Sequence, residues 1–190
     1  MSRTLYLMRH AQAKSSAIGG DAHRPLTRRG REEARAAGVL LADAHVDLAL
    51  VSAATRAQET FDAMGLRRPD GSPVPAQVLD ALYNSGTTTL RQRIAQISDD
   101  VDVLLVIAHA PGIPALATEF TWAHSGLEAD LAQAPFPTAT LAAFSLDGSW
   151  SQIGDFDAYS YTDPRSPRDS PLSPLGGPRT PRLDSARGAQ

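Results

Sequence analysis

The stretch that most constrains the fold is Val101-Asp102-Val103-Leu104-Leu105-Val106-Ile107-Ala108, the most apolar run in the chain. A run of this length without polar alternation predicts a central strand covered on both faces. It stops at His109, and Pro111-Gly112 precede another short helix. Thr4 to Met8 is a second buried strand, ended by Arg9-His10, and Leu48 to Val51 is a third. Helical patterns separate them. Thr27 is a plausible N-cap, Glu32 and Glu33 sit in the early turns, and Ala34, Ala37, Gly38 and Leu41 fall on one face. Ser52 is read as the cap of a helix containing Arg56, Glu59 and Phe61, and Leu90, Ile94 and Ile97 form another stripe. Gln77 to Leu79 reads as a short edge strand. Ala139 to Leu146 and Trp150 to Phe156 read as a late antiparallel hairpin turning at Asp147-Gly148. Strands alternating with helices predict an α/β fold of three layers, α/β/α, around a mostly parallel sheet.

The 190 residues suit one domain with a substantial core. Residues 1–161 carry the alternating pattern. Residues 162–190 are rich in Pro, Ser, Arg and Gly with no apolar periodicity, and are expected to form a disordered tail because they bury too little to offset ordering entropy. Its Ser-Pro and Thr-Pro pairs are candidate modification or docking sites, although a solvated tail needs no specific role. The chain has no cysteine, which removes disulfides, thiolate nucleophiles and cysteine-ligated metals. The apolar N-terminal run is too short for a signal segment, and no stretch is long enough to span a bilayer, so a cytoplasmic location without membrane attachment is expected. A net charge of −3 argues against nucleic acid as a partner.

Polar groups follow directly on the ends of three apolar strands: Arg9-His10, Ser52 to Arg56, and His109. In an open α/β sheet the ligand crevice lies just past the carboxyl ends of the strands, so these groups converge if the strands are parallel. Arginine's planar fork matches phosphate oxygens, and helix N-termini near Ser52 and Gly112 add backbone donors. Such a pocket suits a phosphoryl group. A histidine with one unprotonated ring nitrogen is a nucleophile, and with no cysteine and no Gly-rich phosphate loop His10 is the best candidate. No serine sits in a Gly-x-Ser-x-Gly elbow. His23, His45 and His124 lack ligand spacing, so no metal site is expected.

Four segments then carry a resemblance. Leu7-Met8-Arg9-His10-Ala11 is similar to the Arg-His signature of the histidine phosphatase superfamily, which includes the phosphoglycerate mutases. Arg24-Pro25-Leu26-Thr27-Arg28-Arg29-Gly30 resembles its R-P-L-T-x-x-G segment, Ser52 to Thr60 its S-x-x-x-R-A-x-x-T helix start, and His109-Ala110-Pro111-Gly112 its H-x-P-G. The likeness runs in order from residue 4 to about 156. The short chain and Ala11-Gln12-Ala13-Lys14 look most like the SixA-type phosphohistidine phosphatases. The resemblance implies a phosphoglycerate mutase-like fold, His10 as the residue that becomes phosphorylated, Arg9 and Arg56 as the phosphoryl clamp, and His109 as a stabiliser of the transferring group. It implies no metal and no organic cofactor. Ala11 stands where many relatives carry glycine and Ala110 where many carry asparagine. Mutase relatives also place a mid-chain glutamate to protonate the leaving alkoxide; here Asp80 is the nearby carboxylate and the candidate acid. Arg24 is a candidate brace of the pocket, or simply the partner of an acidic neighbour.

The leading expectation is a phosphatase that takes phosphate from phosphohistidine on a partner protein. A leaving imidazole, with a pKa of ~6.5, needs less protonation than an alkoxide. A phosphatase of a small phosphate ester is the alternative. A non-catalytic phosphate-binding adaptor that uses the tail is the alternative of another class.

Overall fold

The computed structural model describes residues 2–125, 136–153 and 158–162. Strand β1 (Ser2–Arg9) leads through a 3-10 turn at Asp21–His23 into helix α1 (Arg28–Leu40). Then come β2 (Leu48–Ser52), α2 (Thr55–Met64), β3 (Ala76–Leu79), a 3-10 turn at Asp80–Leu82, and α3 (Thr87–Ile94). The chain continues with β4 (Val103–Ala108), α4 (Gly112–Ser125), β5 (Leu141–Asp147), a 3-10 turn at Trp150–Gln152, and β6 (Ala158–Thr162). The strands form one sheet in the order β3-β2-β4-β1-β5-β6. Its first four members are mutually parallel, while β5 runs antiparallel to both β1 and β6.

Both faces of this sheet are covered, as the apolar runs demand. Tyr6, Met8, Val51, Leu105 and Ile107 face a cluster that includes Ala34, Ala37 and Leu41 at α1 and Ala57 and Met64 of α2. The alternate residues Leu5, Leu7, Leu50, Leu104 and Val106 pack with Leu90 and Ile94 of α3 and Ile113, Leu116 and Phe120 of α4. Leu104 to Ile107 are all fully buried. Each such side chain is worth about 1.5–3 kcal/mol relative to exposure, so β4 anchors both halves of the core. Register then sets the level of the strand ends. Arg9 lies opposite Ala108 and Val51 opposite Ile107, which brings the ends of β1, β2 and β4 to one edge.

One glycine has a steric task on that edge. Thr27 caps α1 by accepting from the Gly30 N–H at 2.9 Å, and its own N–H donates to the Gln12 carbonyl at 3.0 Å. The first turn of α1 therefore lies directly against the segment after His10. A Cβ on Gly30 would come within 2.0 Å of the Gln12 carbonyl oxygen.

Two local expectations differ from the structure. Ser52 does not cap α2: Ala54 is the N-cap, with no side-chain cap hydrogen bond, and Ser52 instead closes β2. The second strand of the late hairpin does not begin at Trp150. Ser149 forms a capping box with Gln152 and folds Trp150–Gln152 into a 3-10 turn. The Trp150 ring is fully buried and donates its indole N–H to the Val101 carbonyl at 2.8 Å. The partner strand is β6, pairing Leu141 with Thr162 through Ser145 with Ala158. Residues 154–157, and those after Thr162, lie outside the described residues.

Replacing Gly30 by alanine should destabilise the fold by about 1–3 kcal/mol, read from the midpoint of urea unfolding. Helix propensity alone favours alanine by about 1 kcal/mol, so a net gain in stability would mean that α1 can retreat from Gln12.

Candidate active site

At the edge where β1, β2 and β4 end there is an open cavity of about 450 Å³. It is lined by Arg9, His10, Gln12, Ala13, Asp21, Arg24, Arg56, Asn84, His109, Ala110 and Thr138. His10 continues β1 by one residue, and its backbone N–H donates to the Ala108 carbonyl at 3.0 Å. This bond seats His10 beside His109, whose ring centroid lies 5.0 Å away.

The hydrogen bonds of His10 decide its tautomer. Nδ1 lies 2.8 Å from the Ala11 carbonyl oxygen, which can only accept, so Nδ1 carries the proton. Nε2 therefore keeps its lone pair, and it accepts from Arg56 Nε at 3.1 Å. Burial pushes the His10 pKa down to about 4, and the charges of Arg56, Arg9 and Arg24 push the same way against the opposing Ala11 bond. At neutral pH the ring is uncharged, with a basic nitrogen turned toward the arginine. That is the state a nucleophile requires.

His109 follows β4 directly. Its Nε2 is 2.7 Å from Ser52 Oγ, and that oxygen in turn accepts from the Ala54 N–H at 3.4 Å. Where the hydroxyl donates to Nε2, the His109 proton sits on Nδ1. That nitrogen is buried and has no hydrogen-bond partner among the described residues. Burial, then neighbouring His10 and Arg56, hold the His109 pKa down to about 3. The positive potential of the cavity thus comes from its arginines.

Arg56 is the second residue of α2 and is only 3% exposed. Besides its bond to His10, it donates from Nη1 to the Asp21 carbonyl at 2.7 Å and from Nη2 to Asp21 Oδ2 at 3.0 Å. Arg9 donates from Nη1 to the Phe136 carbonyl at 2.8 Å. Arg24 donates from Nε to Asp21 Oδ1 and from Nη1 to the Lys14 carbonyl, both at 2.7 Å. It therefore lines the pocket and pairs with an acidic neighbour at once. Asp80 is exposed in the turn after β3 and is not among the residues lining the cavity.

Sequence reading passed over several residues that build this place. Asp21 is the carboxylate among the lining residues, bound by Tyr83 OH at 2.8 Å as well as by the two arginines. The Tyr83 bond, then Arg24 and Arg56, hold its pKa down to about 2. Glu33, 6% exposed, accepts from the Gln12 N–H and from Thr138 Oγ1, each at 3.0 Å, and so ties α1 to two wall segments. Thr60 Oγ1 accepts the Ala11 N–H at 3.0 Å and donates to the Arg56 carbonyl at 2.6 Å. Only Thr60 had a signal, as the last residue of the S-x-x-x-R-A-x-x-T segment. Asp21 lies in a Gly-rich loop where a single carboxylate is unremarked until the chain folds. Among the described residues no cluster of His, Asp or Glu side chains could hold a metal ion, and no helix is long and apolar enough to cross a membrane.

Comparison with known proteins gives this geometry a family. Residues 5–100 match the model of the histidine phosphatase superfamily (branch 1). An uncharacterized protein of Mycobacterium tuberculosis (strain ATCC 25618 / H37Rv) is 34% identical over 151 residues, covering 77% of this chain and 91% of its own. One of Mycobacterium leprae is 34% identical over 157 residues with the same coverage. Among solved structures, a provisionally assigned phosphohistidine phosphatase SixA from Nakamurella multipartitia superposes with a TM-score of 0.72 at 30% identity, over 84% of this chain and 96% of that one. The protein histidine phosphatase SixA complexed with tungstate gives 0.67 at 26% identity, over 85% and 97%. The fold is that of the phosphoglycerate mutase-like proteins, and the chain belongs to the histidine phosphatase superfamily.

Proposed function

We propose that the protein is a phosphatase that works through a phosphohistidine on His10, and that it removes phosphate from phosphohistidine on a partner protein. The observation that carries the substrate choice is that, among the described residues lining the cavity, no carboxyl group is available in its protonated form. Asp21 is held ionised far below neutral pH, and Asp80 lies elsewhere. An alkoxide leaving group would need such a donor, whereas an imidazole leaves readily near neutrality. The similarity to SixA phosphohistidine phosphatases over nearly their full length supports the same reading.

The steps follow from the geometry. A phosphoryl group enters among Arg9, Arg56 and His109, and the Arg56 donor resting on His10 Nε2 turns to a phosphoryl oxygen. His10 Nε2 then attacks phosphorus while the bond to the leaving nitrogen breaks, with its electron pair returning to that nitrogen. The arginines and the Nδ1–H of His109 hold the charge on the equatorial oxygens through the transition state. Water next attacks the phosphorylated His10, the P–Nε2 pair returns to His10, and inorganic phosphate leaves. In this reading Ser52, 2.7 Å from His109 Nε2, donates to that nitrogen and so keeps the His109 proton on Nδ1, where this role needs it.

Four measurements test this. His10→Ala should lower hydrolysis of a chemically phosphorylated histidine peptide by about 10³-fold or more. Wild type should clear that peptide faster than a panel of small phosphate esters; the reverse order would make it an ester phosphatase, and inertness on every substrate would leave phosphate binding alone. Nitrogen-15 NMR of the free protein should find His10 neutral, protonated on Nδ1, down to near pH 4, and charged only below it. A midpoint near ~6.5 would mean that the ring is solvated rather than buried. Ser52→Ala should cost about tenfold in kcat/KM, the worth of one positioning hydrogen bond, with the His109 tautomer shifted in the same spectra.

A further inference from the structure

A carboxylate beside a phosphate pocket is chemically out of place. Asp21 lines the same cavity as His10 and occupies donors that an incoming phosphoryl group would also use. Its negative charge repels every phosphate ester, and most strongly one whose leaving group is itself anionic. The arrangement nevertheless looks built. Oδ2 accepts from Arg56 Nη2 and Tyr83 OH, Oδ1 accepts from Arg24 Nε, and the backbone carbonyl accepts from Arg56 Nη1. Three elements thus hold one side chain, yet it stays half-exposed at the opening. A carboxylate has about four acceptor positions, so one remains for a substrate donor.

The position of Asp21 relative to the nucleophile gives that position a use. The Arg56 guanidinium has Nε on His10 Nε2 and Nη2 on Asp21 Oδ2. Nucleophile and carboxylate therefore flank one cation and line one cavity. An in-line transfer places the leaving group away from His10, and Asp21, half-exposed in the same open cavity, is the carboxylate among the lining residues that such a group can meet. A leaving group that brings an N–H, or a positive charge, meets a ready acceptor there. A phosphorylated imidazole is such a group, since its second ring nitrogen takes up a proton near neutral pH.

We propose that Asp21 is a specificity-determining residue, whose carboxylate accepts a hydrogen bond from the distal ring N–H of a phosphohistidine substrate and holds that ring in its cationic form. This rests on the phosphohistidine phosphatase reading given above. As His10 Nε2 bonds to phosphorus, the substrate P–N bond breaks and its electron pair returns to the ring. The ring leaves as neutral imidazole with the distal N–H still in place. No proton has to reach the leaving nitrogen, so the carboxylate replaces a general acid with a charge partner. Water then releases phosphate from His10, its proton passing to phosphate or solvent. Esters gain nothing from this contact.

The test compares wild type with Asp21→Asn on three substrates: a phosphohistidine peptide, p-nitrophenyl phosphate, and 3-phosphoglycerate as an ester with an anionic leaving group. The kcat/KM ratio of peptide to p-nitrophenyl phosphate is expected to fall at least tenfold in Asp21→Asn, and that of 3-phosphoglycerate to p-nitrophenyl phosphate to rise. Asp21→Glu, which keeps the charge, is expected to recover part of the first ratio. Inhibition by inorganic phosphate checks that the pocket is formed in each variant. If all three substrates change by the same factor, Asp21 only shapes or plugs the pocket and the inference is overturned, while the function proposed above stands. If wild type itself prefers both esters to the peptide, that function fails, and the inference with it.

Discussion

A guanidinium that is almost wholly withdrawn from water must find partners for its donors, and Arg56 finds them at two points of the connection between β1 and α1. One end of its fork rests on His10 beyond β1, the other on Asp21 in the loop before α1. Its position near the start of α2 is fixed in turn by Thr60, which bonds both the Arg56 carbonyl and the Ala11 N–H. Removing this one side chain would leave Asp21 bound by Arg24 and Tyr83, and His10 Nε2 without its donor. The organisation of the cavity depends on that cation more than on any other group.

The same charges perform two tasks that usually conflict. Arginines attract a dianionic phosphoryl group, and they reinforce the burial that chiefly keeps the neighbouring imidazoles from taking up protons. Because arginine stays charged at every accessible pH, the pocket remains cationic while the nucleophile remains neutral. A site built from protonated histidines could bind phosphate equally well, but it would hold no lone pair to attack it. Asp21 trims this cationic field without quenching it, since three arginines line the cavity with it.

Much of this was legible in the order of residues. Arg9, His10, Arg56 and His109 each follow an apolar run, and a buried parallel strand must end where its apolar run ends. Thr27 capping α1 and the two-faced core follow from equally local patterns. Ser52 was legible as a polar residue past a strand, but not as the partner of His109. A hydroxyl can bond a helix N–H or an imidazole, and only the register of β2 against β4 brings the ring to 2.7 Å. The misplaced last strand has a similar cause. The apolar residues after Gly148 resemble a strand in isolation, but Trp150 is drawn into the core and its turn delays pairing until Ala158.

Sequence alone determined the layered α/β architecture and the residue types at the strand ends, because both follow from local hydrophobic patterning and from where it stops. It could not determine which polar groups touch. The pairings of Arg56 with Asp21, Ser52 with His109 and Glu33 with Gln12 span 35, 57 and 21 residues. Contacts at such separations exist only once parallel register has aligned the strand ends and α1 has closed on the loop behind His10. Tertiary structure therefore decided the protonation state of the nucleophile and the presence of a carboxylate at the cavity, since both depend on distances that no local pattern encodes.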